Sequence, residues 1–298
     1  AYFQAAAAQE RLRVARENLA AAERVLGVIR DRFGVGTASA LDVAQQESLV
    51  ASQRAAIPAL VQTLEQNLAT LALLIGKPPA QVTIRSAGLW QIAIPAVTPG
   101  LPSDLLTRRP DVREAEAQLA AANANVAAAR AAFFPSIRLT GEGGYQSAVL
   151  RTLVRPESTF LSLAAGLSQP IFDGALLQGQ YDLQRARQDE LLQNYRRAVI
   201  NAFTDVERAL IAVQQTAQQE RLQRAVVSSS RRAFEIAEQR LREGTVDLVT
   251  VLQTQQALFQ ALDNLAQARL SRLQAVLGLF QALGGGWNLP AAEPPQNR

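Results

Sequence analysis

Cysteine, histidine and methionine are all absent from this chain of 298 residues. Without histidine there is no Ser-His-Asp triad, no Cys-His pair and no imidazole metal site. Without cysteine there is no thiolate nucleophile, zinc ribbon, iron–sulfur centre or disulfide. Because only carboxylate, hydroxyl or amine chemistry remains, we expect neither an enzyme nor a bound metal or cofactor.

Long apolar runs and lysine are scarce as well. Stretches such as Leu71 to Ile75 fall far short of the roughly 20 apolar residues that a membrane-spanning helix needs, so no such helix is predicted. Lys77 is the sole lysine among 30 basic residues, and the arginines are scattered among Glu and Asp. Nucleic-acid binding needs a basic stripe or a recognition motif, and we therefore expect no nucleic-acid partner.

Proline is absent between residues 175 and 289, where glycine is also rare. The stretch Leu176 to Arg242 is therefore predicted to form one helix of 67 residues, about 100 Å long at about 1.5 Å per residue. A second helix is predicted from about Thr245 to Leu283. Apolar and small residues recur in the first at steps of three and four, a spacing typical of coiled coils: Leu192, Tyr195, Val199, Ala202, Val206, Ala209 and Val213.

The first part of the chain repeats this design. One helix is predicted from about Tyr2 to Phe33, and a second from about Ala38 to Ile75 that Pro58 interrupts and kinks. The two turns align at a constant offset of 208 residues, with these identical pairs: Arg32/Arg240, Gly36/Gly244, Thr37/Thr245, Val43/Val251 and Gln45/Gln253. A repeat of this length indicates a duplicated hairpin, although two heptad hairpins can also resemble each other around a glycine.

Prolines concentrate between the two hairpins and indicate a linker. Short strands are predicted in it at about 82–85 and 90–94, and Ser103-Asp104 can cap a following helix that ends near Phe134. For several residues here and at the C-terminus we expect a structural role rather than ligand contact: ion pairs for Arg108, Arg109 and Asp111, and packing for Trp90 and Trp287.

From Ser136 to Ser168 the apolar period changes to two, which predicts a β-hairpin of two ten-residue strands. One face carries Ile137 and Leu139, and the other carries Arg138, Thr140 and Glu142. This pattern fits a membrane strand pair with lipid on one side and a wet lumen on the other, but a soluble amphipathic hairpin shows the same alternation. The context favours the membrane, since both ends lead into long helices and an isolated hairpin must pair with others.

The chain resembles the TolC-like outer-membrane efflux proteins, especially the multidrug-exporter branch, over essentially its whole length. Three motifs carry the resemblance: LLTRRPDVREAEAQLAAANANVAAARAAFFPSIRLTG at 105–141, QPIFDG at 169–174 and QALGGGW at 281–287. It implies a mainly α fold with long antiparallel coiled-coil helical hairpins, one transmembrane-type β-hairpin and a small mixed equatorial region.

The resemblance also implies a homotrimer in the lipid of the bacterial outer membrane, with a large periplasmic extension. Each protomer would give four strands to a shared 12-stranded barrel. An inner-membrane efflux pump, joined through a periplasmic membrane-fusion adaptor, would drive small molecules through this passive duct. Family members carry an earlier helix pair and a first β-hairpin that this sequence lacks, so we expect an N-terminally truncated piece of a longer protein.

Functional residues are transferred from the family at three places. The two turns should form the periplasmic tips where adaptor hairpins dock: Val35, Gly36, Thr37, Glu243, Gly244 and Thr245. A periplasmic gate is expected just beyond, at Asp42, Asp247, Val249, Thr250 and Gln253, and the barrel lumen at Arg138, Thr140 and Glu142. Relatives commonly carry acidic gate residues where Thr250 and Gln253 stand here, and the Arg and Tyr that tie neighbouring coils are replaced by Val246 and Leu241. We therefore expect a mainly apolar and neutral-polar constriction that is gated by movement of the coils.

The predicted organisation has six parts: a first helical hairpin (1–76), an equatorial linker (77–103), a helix leading to the membrane (104–135), the outer-membrane β-hairpin (136–170), a second long helical hairpin (171–284) and an equatorial tail (285–298). An alternative function is a periplasmic coiled-coil adaptor or scaffold without a pore. That alternative explains the heptads but not the lipid-type hairpin.

Overall fold

The computed structural model describes residues 1–83, 88–95 and 108–285. Within these ranges the helices and strands are α1 (Tyr2–Gly34), α2 (Ala40–Leu74), α3 (Pro110–Ala131), β1 (Ser136–Tyr145), β2 (Thr159–Ser168), α4 (Leu176–Arg242) and α5 (Leu248–Ala282). Single 3₁₀ turns lie at Pro79–Gln81, Leu89–Gln91, Leu150–Thr152 and Pro156–Ser158. The prediction of a mainly α fold with one β-hairpin is confirmed.

The predicted helix of 67 residues is confirmed, because α4 is helical from Leu176 to Arg242. Helix α5 starts somewhat later than predicted, at Leu248. The reason is that Asp247 acts as its N-cap, with a side chain that accepts a hydrogen bond from the Thr250 backbone N–H.

Helix α2 continues through Pro58, and the predicted interruption there is wrong. An interior proline removes one backbone hydrogen bond and strains the turn before it. Buried residues lie on both sides of Pro58, at Leu49 and Val50 before it and at Ala72 after it. Packing of both halves therefore holds the helix together across the proline.

One compact unit comprises residues 1–100 and 204–298, and its core lies between helices. The largest apolar cluster joins Val25 and Ile29 of α1 to buried residues of the second hairpin: Phe234, Ala237, Leu241, Leu248, Val251 and Leu258. A neighbouring cluster packs Ala22, Leu26, Val50 and Phe259 together. Burial of these side chains fixes the two hairpins against each other around the turns.

The segment predicted as a strand at 90–94 is instead a 3₁₀ turn at Leu89–Gln91 followed by irregular chain. Leu89 is fully buried with Ala6, Ala7, Ala266 and Leu273, so the helices supply its partners. A strand would need a neighbouring strand for its backbone groups. The other predicted strand is not seen at residues 82–83, and its remainder lies outside the described residues, as does Trp287.

A second compact unit comprises residues 101–203. Arg109 is extended and Pro110 opens α3, so the predicted helix is broken at Arg109; its predicted start at Ser103 lies outside the described residues. The Arg109 guanidinium lies 2.6 Å from the Asp111 carboxylate, which confirms that predicted ion pair. This hydrogen bond holds the pKa of Asp111 below its ordinary value.

Strands β1 and β2 pair antiparallel in one continuous register, from Ser136 opposite Ser168 to Tyr145 opposite Thr159. Directly opposed residues share a face, so Ile137 lies beside Leu167, and Leu139 beside Ala165. The predicted alternation is therefore realised as one apolar face and one polar or small-residue face. Among the described residues, no helix is long and apolar enough to cross a membrane.

Candidate functional site: the two helix turns and the β-hairpin

The turn after α1 is a glycine C-cap. Gly36 takes a φ of +76°, a conformation that side chains with a Cβ rarely adopt. Thr37 then donates two hydrogen bonds to the Arg32 carbonyl, from its backbone N–H at 2.8 Å and from its hydroxyl at 3.1 Å. These bonds satisfy a carbonyl that the end of α1 leaves without a helical partner.

The turn after α4 repeats this arrangement atom for atom. Gly244 has a φ of +74°, and Thr245 donates to the Arg240 carbonyl at 2.9 Å from its N–H and 3.2 Å from its hydroxyl. The offset of 208 residues therefore reflects one local structure built twice. All six predicted tip residues are exposed, as an adaptor-docking surface requires: Val35, Gly36, Thr37, Glu243, Gly244 and Thr245.

Three of the five predicted gate residues take part in helix caps. Before α2, Ser39 accepts from the Asp42 N–H while the Asp42 carboxylate accepts from the Ser39 N–H at 2.7 Å, a reciprocal capping box. Before α5, Asp247 accepts from the Thr250 hydroxyl at 2.6 Å. The hydrogen bonds from Thr250 keep the pKa of Asp247 below its ordinary value.

The remaining gate residues, Val249 and Gln253, are both exposed and lie about one turn apart on α5. They therefore share one outward face of the helix, as a pore-lining pair must. Their role in a gate stays a prediction.

Sequence reasoning missed a bond between the two turns. The Arg32 guanidinium donates to the backbone carbonyl of Leu241 in the last turn of α4. A cation at a helix C-terminus is favoured by the helix dipole, and here the cation comes from the other hairpin. The repeated Arg32/Arg240 pair is visible in the alignment of the two turns, but the alignment does not show that Arg32 reaches the other hairpin.

Sequence reasoning also missed a buried carboxylate. Glu220 of α4 is almost fully buried and lies within ion-pair distance of Arg224 (2.6 Å), Arg272 (3.1 Å) and Arg269 (3.5 Å). Burial alone would raise the pKa of Glu220, but the hydrogen bonds from Arg224 and Arg272 and the charge of Arg269 outweigh it and lower the pKa.

Trp90 joins this cluster to α1. Its indole N–H donates to Glu10 at 2.8 Å, and the guanidinium groups of Arg224 and Arg269 lie over its ring, 5.1 and 5.8 Å from the centroid. Arg269 also donates to the Ile92 carbonyl at 2.7 Å. These contacts fix the segment around Trp90 on the helices, so Trp90 packs in the fold as predicted.

The β-hairpin carries the predicted lumen residues on a single face. Arg138, Thr140 and Glu142 are exposed and lie opposite Gly166, Ala164 and Ser162, whose small side chains leave this face open. The other face presents exposed apolar residues: Ile137, Leu139, Leu161, Leu163 and Leu167. Among the described residues, no group of three or more acidic side chains is spaced to hold a metal ion.

Comparison with known proteins identifies the family to which these features belong. The family model for the outer membrane efflux protein matches residues 1–77 and 101–285. The chain belongs to the outer membrane efflux protein family. The predicted family and the predicted outer-membrane location are thereby confirmed, and a pore-less adaptor is not supported.

Two relatives and one solved structure illustrate the similarity. The chain is 44% identical to the pyoverdine export outer membrane protein OpmQ of Pseudomonas aeruginosa, over 96% of this chain and 60% of OpmQ. It is 37% identical to the toluene efflux pump outer membrane protein TtgF of Pseudomonas putida, over 99% of this chain and 61% of TtgF. A membrane protein from Pseudomonas aeruginosa superposes with a TM-score of 0.88 at 34% identity, over 98% of this chain and 66% of that protein. The chain thus spans about 60% of the length of these two relatives, and both are transport proteins.

Proposed function

We propose that the protein containing this chain is the outer-membrane channel of a tripartite efflux system, a passive exit duct for small molecules that performs no catalysis. The observation that carries the proposal is an amphipathic β-hairpin, apolar on one face and polar on the other, joined to long helices in a member of this family. Such a hairpin cannot be stable alone in a membrane, which supports assembly as a homotrimer.

Each candidate residue set has a place in this duct. The polar hairpin face, with Arg138, Thr140 and Glu142, lines the lumen in the outer membrane. The two turns lie in the periplasm and dock a membrane-fusion adaptor that links the duct to an inner-membrane pump. Val249 and Gln253, with the cap residues Asp42, Asp247 and Thr250, surround the periplasmic gate.

The names of the relatives suggest two classes of exported compound. OpmQ is named for pyoverdine and TtgF for toluene, and the higher identity to OpmQ favours pyoverdine over toluene as the exported compound. Expression of the whole protein in Pseudomonas strains that lack OpmQ or TtgF tests both candidate compounds. Restored pyoverdine secretion is expected, and its absence despite normal protein in the outer membrane contradicts this cargo.

A substitution in the first turn tests the duct and its adaptor contact separately. Val35 is 75% exposed, so Val35→Glu leaves the fold intact but places a charge in the docking surface. We expect normal single-channel conductance in planar bilayers and loss of export in cells. Leu73→Glu is the matched control, since Leu73 is 80% exposed at the opposite end of α2, and it should retain both activities.

The duct proposal fails if the unaltered protein shows no conductance in bilayers. The adaptor contact fails if Val35→Glu exports as well as the parent.

A further inference from the structure

A loop of 13 residues, at 146–158, closes the end of the β-hairpin that does not lead into helices. Strand β1 follows α3 and strand β2 leads into α4, so the loop joins the two opposite strand ends. In the proposed function the helices lie in the periplasm, which places this loop on the outer side of the membrane. That orientation is the one point taken from the proposed function.

The apolar face of the hairpin ends where this loop begins. From Ile137 to Tyr145 the face extends about 27 Å at about 3.4 Å per residue, or about 20 Å across a membrane for strands tilted by about 40°. The apolar band of such barrels is about 25 Å tall. Tyr145 is exposed at the last position of β1, and tyrosine is enriched where a bilayer meets water. The loop therefore starts at the outer edge of the band, near the lipid headgroups.

The loop exposes large apolar side chains of its own. Leu150 is 85% exposed and Val154 is 80% exposed, as open as Leu161 on the apolar face of the strands. In water, each Å² of exposed apolar surface costs about 25 cal/mol, and this cost is removed among the acyl chains of a lipid. The loop thus continues the apolar face of the hairpin beyond the strands.

Two arginines accompany these apolar residues. Arg151 follows Leu150 and Arg155 follows Val154, and both arginines are exposed. Glu157 is the single acidic residue of the loop, and within the described part of the chain it forms no ion pair with either arginine. A guanidinium group stays charged and can bind a phosphate group through two parallel hydrogen bonds. The repeated step from an apolar residue to an arginine therefore fits a lipid that carries phosphate groups beside acyl chains.

Hydrogen bonds inside the loop fix its conformation. The Gln146 N–H donates to the Ser158 carbonyl at 2.7 Å and closes the base of the loop. The hydroxyls of Ser147 and Thr152 lie 2.6 Å apart, and the Ser158 hydroxyl donates to the Thr152 carbonyl at 2.7 Å. A loop that is already ordered loses less conformational entropy when it binds a ligand. The two arginines are therefore carried by a scaffold that forms before any lipid is bound.

We propose that the loop at 146–158 binds the phosphorylated glycolipid of the outer leaflet, with Arg151 and Arg155 on its phosphate groups and Leu150 and Val154 among its acyl chains. Lipid A, the membrane anchor of lipopolysaccharide, has this chemistry because it carries phosphates on an acylated sugar. The site lies at the lipid-facing rim of the barrel and not in its lumen.

Native mass spectrometry of the whole protein in detergent, with added lipid A, tests the arginines. The double variant Arg151→Gln/Arg155→Gln should bind lipid A about 25-fold more weakly than the parent, since each arginine near an anionic lipid surface strengthens binding by about fivefold. The matched control is Arg231→Gln/Arg232→Gln, which removes the same charge from exposed positions on α4. It should bind lipid A as the parent does.

Two further probes separate the phosphate groups from the acyl chains. Dephosphorylated lipid A should bind the parent no better than intact lipid A binds the double variant. Inorganic phosphate at the same concentration should not displace lipid A from the parent, because it has no acyl chains. Displacement by inorganic phosphate would contradict a lipid site.

Spin labels locate the loop in the membrane. Leu150→Cys and Val154→Cys are labelled in the whole protein, in a background without other cysteines, and reconstituted in vesicles that contain lipid A. Oxygen concentrates in the bilayer and a polar nickel reagent stays in water, so oxygen should relax both labels more strongly. The matched control is a label at Thr140→Cys, on the polar face of β1, which should respond more strongly to the nickel reagent.

The proposal is overturned if Arg151→Gln/Arg155→Gln binds lipid A as well as its control variant does. It is also overturned if the labels at residues 150 and 154 respond as the label at residue 140 does, because the loop would then cover the pore. Lipid A binding that depends on the two arginines, in a parent protein that conducts no ions, would support this lipid site and contradict the proposed duct.

Discussion

Glu220 shows how one residue of the chain depends on its charged neighbours. Its side chain is 1% exposed, and such a carboxylate is tolerated in the fold only because arginines surround it. Removing the carboxylate leaves those arginines without their anionic partner. The heptad pattern could not reveal this cluster, because it depends on which side chains of separate segments meet.

The Glu220→Gln variant is expected to lose about 3 kcal/mol of unfolding free energy at pH 7, near the lower end for a broken buried ion pair, since Arg224 is half-exposed. Urea denaturation followed by circular dichroism measures this. Glu238→Gln is the matched control on the same helix, because Glu238 also pairs with an arginine four residues on but at the surface. The Glu238→Gln variant should lose less than about 0.5 kcal/mol of unfolding free energy.

The pH dependence of the same pair of proteins gives a second readout. The pKa of Glu220 is lower in the folded protein than its ordinary value of 4.5, so its stabilisation is complete above that value and is lost as the pH falls through the lower, folded-state pKa. The stability difference between parent and Glu220→Gln should therefore shrink on acidification below pH 4.5. A difference that stays constant down to pH 3 would contradict the ion-pair interpretation.

At the scale of elements, the two hairpins use the same turn with exchanged cap partners. The first turn has Ser39 at the N-cap and Asp42 three residues on, whereas the second has Asp247 at the N-cap followed by Thr250. Each pairs one hydroxyl with one carboxylate. Exchanging both cap residues together is therefore expected to preserve stability, whereas exchanging only one of them is expected to lower it.

Exchange of the first cap tests this. Ser39→Ala should lower the unfolding free energy by about 1 kcal/mol. Ser39→Asp alone should also be less stable than the parent, because it sets two carboxylates side by side. Ser39→Asp combined with Asp42→Thr reproduces the second turn and should regain most of the stability. Thermal melts compare the four proteins, and a double variant no better than Ser39→Asp would show that the two turns are not equivalent.

An element can be predicted from the sequence when residues close to one another in the chain determine its conformation. The spacing of apolar residues and the positions of glycine and proline determine the long helices and the β-hairpin. Their predicted bounds are therefore close to the observed ones. The segment around Trp90 was wrongly predicted as a strand because its conformation depends on burial of Leu89 between helices. The continuity of α2 through Pro58 likewise depends on packing at both of its ends.

At the scale of the whole molecule, the proposed duct requires several copies of one chain to bring their exposed residues together. Val249 and Gln253 face outward from α5, and neither carries a charge. In a ring of three copies, three Gln253 side chains would surround the axis. The gate is therefore expected to select weakly between cations and anions, and an added carboxylate should change that selection.

Gln253→Asp is expected to raise the preference for cations over anions in planar bilayers by about fivefold. A carboxylate about 4 Å from a cation in water contributes roughly 1 kcal/mol, which corresponds to that ratio. The matched control is Gln253→Asn, which has the shape of Asp without its charge, and it should leave the preference as in the parent. The increase should also fall at high salt, where exposed charges are screened. If the Asp and Asn variants show the same ion preference, Gln253 does not line the gate, and the narrowest part of the duct must lie elsewhere along the helices.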